Sequence, residues 1–214
     1  MLSAVLLTIH IGAGSVALLT AAIAVFTPKG RKWHVRAGRV YAIAMALVFL
    51  TAVPLSLLGA SIFLMLIAFF SFYLVFAGWR FARNRRGHPH AVDWAATAIV
   101  LTTGLGMGAY AGVLAGSGDS QWVTMTVFAA IAVALGVVDG LYHFQRRATG
   151  GRRISRHLTG MLAGTIATIT AVLVVNVETN PPWIVWILPT VVITPFIAWW
   201  NFRVAIQYRT GRQA

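Results

Sequence analysis

The stretch TPKGRKWHVRAGRVY, residues 27–41, sets five cationic side chains and a histidine between two long apolar runs. Upstream, residues 2–26 carry no Asp, Glu, Lys or Arg, and residues 40–58 downstream carry none either. A secretory signal peptide has its cations before the apolar segment. Here they follow it, so the first run reads as a retained membrane helix and the basic stretch as the place where the chain leaves the bilayer and turns back.

Composition extends that reading to the whole chain. It has 214 residues, of which 59% are hydrophobic and 10% charged, with mean hydropathy +0.81. So little polar surface does not suit a water-soluble globule. At about 20 apolar residues per span, the expectation is an all-α, polytopic membrane helix bundle with seven transmembrane helices in a single domain, residues 1–214. The spans fall near 2–26, 40–58, 61–81, 93–115, 122–144, 157–177 and 183–203. Pro54 and Gly59 mark the end of the second, Asp93 stands as cap or first-turn acid of the fourth, and Thr179 or Asn180 caps the seventh ahead of Pro181-Pro182.

With seven spans, consecutive loops alternate sides, and the seventeen Lys and Arg then fall on one side. They cluster in 29–39, 80–86, 146–156 and a tail holding Arg203, Arg209 and Arg212, while the opposite loops hold only the acids Asp119 and Glu178. By the excess of cations in cytoplasmic loops, the N-terminus is expected outside and the C-terminus in the cytoplasm, in a bacterial cytoplasmic (inner) membrane. The net charge of +13 is then orientation, with anionic lipid headgroups at the cytoplasmic face as partners of the basic loops. Nucleic acid is not expected as a partner, and homo-oligomerisation is compatible with the small-residue faces. The absence of cysteine excludes disulfides, thiolate metal sites and iron–sulfur clusters.

Ionisable groups at membrane depth cost about 2.5–3.5 kcal/mol each on insertion scales and mark function by default. Asp139 lies about seven residues from the nearest arginines, or ~10 Å into the bilayer. It is expected to pair with a snorkelling arginine, with Arg36, Arg39, Arg80 and Arg156 in range. His10 sits at similar depth from the other face and is expected to bond a hydroxyl, such as a threonine of helix six, or to form a second ligand site. His34, His143 and His157 stand near the cytoplasmic ends of their helices. Bis-histidine ligation of haem b needs two imidazoles on different helices across a gap lined by small residues, and Gly38 and Gly160 stand close by. A ridge of Gly104, Gly108, Gly112 and Gly116 offers close approach to a neighbouring helix or a flat cofactor.

The segments HIGAGSVALL from His10, KGRKWHVRAGRVYAIAM from Lys29, SFYLVFAGWR from Ser71, RHLTGMLAGTIATITAVLVVN from Arg156 and LPTVVITPFIAWW from Leu188 resemble a family of bacterial integral membrane proteins classed as a domain of unknown function. The resemblance runs over nearly the whole length. It implies the polytopic fold and brings no particular activity with it.

Metalloprotease, nucleotide-binding and Ser–His–Asp signatures are missing, and with four acids in the chain hydrolysis is not expected. Two functions remain in view. One is a redox cofactor, haem b or quinone, held through His34, His143 and His157, with His10 as a second site. The other is a proton-coupled transporter of a small molecule or ion that uses Asp139 and His10, with breaks at Pro189 and Pro195. A scaffold without a site is the third.

Overall fold

The computed structural model describes residues 1–210; Arg212, placed above in the basic tail, lies outside them. The described chain is all-helical, with seven helices long and apolar enough to cross a membrane. They are α1 (Leu2–Phe26), α2 (Lys32–Leu58), α3 (Ile62–Arg83), α4 (Ala91–Gly116), α5 (Trp122–Phe144), α6 (Gly150–Asn176) and α7 (Trp183–Arg209).

Three helices run further into the basic segments than hydropathy alone indicated. α2 starts at Lys32 rather than near 40, α6 at Gly150 rather than 157, and α7 continues to Arg209 rather than 203. Lys and Arg are good helix formers, and their long stems let a charged head reach water from a helix still at the interface. A charge block therefore ends an apolar run without ending a helix.

Two other signals act differently from their sequence reading. Pro54 lies inside α2, and Gly59 alone forms the C-cap. At the start of α7 the N-cap is Pro182, and the Thr179 hydroxyl donates to the Pro181 carbonyl (3.1 Å) instead of receiving a helix N–H.

The chain divides into two compact units, one spanning Met1–Phe72 and the other running from Tyr73 onward. In the first, α1 and α2 pack antiparallel, with Ala13, Ala17 and Ala21 of α1 buried. Phe49 stacks on Phe72 at 4.5 Å and meets the edge of Phe69. In the second, α4 pairs with α5, α6 with α7, and α5 touches α7.

Lipid tails are as apolar as leucine, so helices in a bilayer are held by close packing and polar contacts rather than by the hydrophobic effect. Gly78 of α3 and Gly160 of α6 show what that requires. A Cβ built on Gly160 would lie 2.6 Å from the Leu74 carbonyl oxygen and 2.7 Å from the Gly78 Cα. The two backbones meet where no side chain fits, and this contact sets α3 and α6 at the distance on which the site depends.

Candidate functional site

Both acids within the spans of the second unit are buried and paired. Asp139, on α5, is 1% exposed. Its Oδ1 accepts from Arg156 Nε of α6 (2.6 Å), and Arg156 Nη2 stands at the same distance. Its Oδ2 accepts from the Tyr73 hydroxyl of α3 at 2.5 Å. Three helices are thus tied through one carboxylate, and both of its oxygens are engaged. Around it α5 carries Gly136 and Gly140: a Cβ on Gly136 would meet Leu101 of α4 at 2.8 Å, and one on Gly140 would meet Thr97 of the same helix at 3.5 Å.

The second pair lies nearer the helix ends. Arg80 of α3 grips Asp93 of α4 with Nε to Oδ1 at 2.6 Å and Nη2 to Oδ2 at 2.9 Å. This fork-to-carboxylate geometry is the strong form of the contact. Asp93 also accepts the His90 backbone N–H at 2.8 Å, so the carboxylate satisfies a helix-start donor as a first-turn acid does while neutralising Arg80.

His143, one turn beyond Asp139 on the same face of α5, is buried. Its ring stacks on Phe81 (centroids 5.5 Å apart, planes at 15°) and meets Trp94 edge-on at 5.6 Å. The other side of this small aromatic cluster is the Arg156 guanidinium, 5.8 Å from the Phe81 centroid. Beside the Arg80–Asp93 pair lies a cavity of about 10 Å³ lined by Tyr73, Arg80, Asp93, Thr97 and His143, among others. That is the size of a single water, and its lining mixes hydrogen-bonding groups with the apolar side chains of Phe76, Ala77, Phe81 and Ala96. Tyr73, which lines the cavity, also bonds Asp139.

Of the four arginines in range of Asp139, Arg156 is its partner. Arg80 is taken by Asp93, and Arg36 and Arg39 belong to α2 in the first unit. Tyr73, the third member, carries no signal in the sequence that singles it out from the other aromatic residues of α3. Each buried acid needs a cation at its own depth, and the chain has only two acids inside spans; that reasoning, applied to Asp93 as well as Asp139, would have found the Arg80 pair.

The histidines are individually engaged. His10 Nδ1 lies 2.9 Å from Thr51 Oγ1 of α2, so the threonine is on helix two rather than helix six. His34 Nδ1 is 3.0 Å from the Ala24 carbonyl oxygen at the end of α1, and His157 Nδ1 is 2.9 Å from that of Gly78. His10 and His34 belong to the first unit, His143 and His157 to the second.

The second unit's histidines do not fit a haem. The space beside His143 is that of one water, and Gly160, expected to line a cofactor gap, is filled by the α3 backbone. No group of three or more His, Cys, Asp or Glu among the described residues is placed to hold a metal ion. The glycine ridge of α4 packs at Gly104, whose Cβ would meet Val133 of α5 at 2.9 Å, and is open at Gly112 and Gly116. Comparison with protein families, with curated proteins and with solved structures finds no match to this chain.

Proposed function

We propose that the protein is a proton-coupled membrane transporter in which Asp139 is the proton-carrying group. The reading rests on one observation: a carboxylate buried within a membrane-spanning helix and tied to Arg156 and Tyr73, with Tyr73 also lining a water-sized cavity that it shares with His143, Arg80 and Asp93. An ionised Asp139 holds α3, α5 and α6 together. A proton on it removes the charge that holds Arg156, so protonation favours an arrangement in which α6 is released from α5. Differential contact of this kind is what shifts a two-state equilibrium. α7 packs on both helices and contains Pro189 and Pro195, which break its hydrogen-bond ladder and let it bend as they move.

In this reading the chain spans a bacterial cytoplasmic membrane with its N-terminus outside and its basic loops inside. The cavity then lies toward the cytoplasmic side, and Asp93, His143 and Tyr73 pass the proton between that face and Asp139. The cargo is a small molecule or ion. A pH jump applied to vesicles containing the protein on a solid-supported membrane should give a transient current as protons reach Asp139. Asp139→Asn should remove that current and His143→Gln should slow it. An Asp139→Asn current equal to that of the unaltered protein would leave the network a structural brace.

A further inference from the structure

At the same end of the second unit, a groove of about 310 Å³ opens on the outer side of α5, lined by Val138, Leu141, Tyr142, Gln145, Arg147 and Arg152. Its chemistry is divided. Val138 and Leu141 are 38% and 52% exposed on the part of α5 that runs into the bilayer. Arg147 and Arg152, both exposed, stand at its polar end with Tyr142 and Gln145.

Neither arginine has a carboxylate partner among the described residues. Arg80 and Arg156, by contrast, hold the two buried acids, and Arg153 donates to the Phe81 and Ala82 carbonyls that end α3. Both guanidinium groups are therefore open to an anion from outside the chain. Arg152 stands in the first turn of α6, whose N-cap Thr149 makes no side-chain bond, so the positive end of that helix adds to the potential of the groove.

We infer that this groove binds one anionic glycerophospholipid, its phosphate between Arg147 and Arg152 and an acyl chain along Leu141 and Val138. Guanidinium groups match a phosphate with paired donors, and a tyrosine at headgroup level suits an interfacial site. The apolar wall is what distinguishes a lipid from a free anion. The site is separate from Asp139 and stands or falls independently of proton transport.

Native mass spectrometry of the delipidated, detergent-purified protein titrated with phosphatidylglycerol or phosphatidylcholine tests it. The unaltered protein should retain phosphatidylglycerol in preference to phosphatidylcholine. Arg147→Gln/Arg152→Gln should lose about tenfold or more of that affinity, the scale of two arginine contacts at a membrane surface. The single substitutions should each lose part of it, and Arg209→Gln, an exposed cation that does not line the groove, should lose none. Equal retention of the two lipids, an unchanged double variant or an equal loss in Arg209→Gln would overturn the site. Displacement of the lipid by millimolar inorganic phosphate would show a phosphate site rather than a lipid site.

Discussion

Asp139→Ala is expected to destabilise the protein by about 3–5 kcal/mol, the usual cost of removing one partner from a buried ion pair. Asp139 is almost wholly enclosed and Arg156 is 13% exposed, so little solvent is available to take over the lost charge. The substitution also strands the Tyr73 hydroxyl, which is buried and bonded to the same carboxylate. An unmade buried hydrogen bond costs about 1–3 kcal/mol. Thermal or denaturant unfolding of the purified protein in detergent checks this.

The informative companion is the triple replacement Asp139→Leu, Arg156→Met and Tyr73→Phe, which removes the charges and the stranded hydroxyl together. Buried pairs replaced by well-packed apolar residues are often neutral or stabilising, so the triple variant should recover most of the stability lost in Asp139→Ala. It should still fail to respond to a pH jump. Recovery of stability without recovery of response separates a group kept for function from one kept for folding.

Gly160→Ala is the second large effect. The added methyl would overlap backbone atoms of α3 at 2.6–2.8 Å, and backbone cannot rotate away as a flexible side chain can. α3 and α6 must separate, at a cost of about 1–3 kcal/mol for overpacking. Tyr73 and Arg156, which grip Asp139 from those two helices, move apart with them, so the pH-jump response should weaken as well. Gly112→Ala provides the contrast, because nothing lies within 4 Å of its Cβ position. There the gain in helix propensity, up to about 1 kcal/mol, should leave stability unchanged or raised. Equal losses in the two variants would show that Gly160 matters only as helix backbone and not as the α3–α6 contact.

The number of helices was legible because a span announces itself by length and apolarity, properties that no neighbour alters. Helix ends were less so, because cations at the interface remain helical, as Lys32 in α2 and Arg152 in α6 show. Asp139 was recognisable from depth alone as an ionisable group inside a span. Its partner was narrowed to four arginines, since periodicity places a residue on a face but does not say which helix that face meets. Tyr73 and the Arg80–Asp93 pair depend on how α3 lies against α4, α5 and α6, and Asp93 drew attention away from itself by also serving as a helix-start acid. Of the glycines that looked suited to a cofactor, Gly160 is where two backbones touch and Gly104 packs on Val133, while Gly38, Gly112 and Gly116 have nothing within 4 Å of their Cβ positions. A small residue in a helix face permits close approach without saying what approaches.

Infrared difference spectroscopy tests the central claim, that Asp139 takes up and gives back a proton, without knowledge of the cargo. The chain has only four acids, so carboxyl bands can be assigned by single substitutions. Lowering the pH over membranes containing the protein should produce a protonated-carboxyl stretch that shifts in heavy water, disappears in Asp139→Asn and persists in Asp119→Asn and Glu178→Gln. If that band is unchanged in Asp139→Asn, or no such band forms while the protein remains folded, Asp139 stays ionised throughout and the account of it as the proton carrier is wrong.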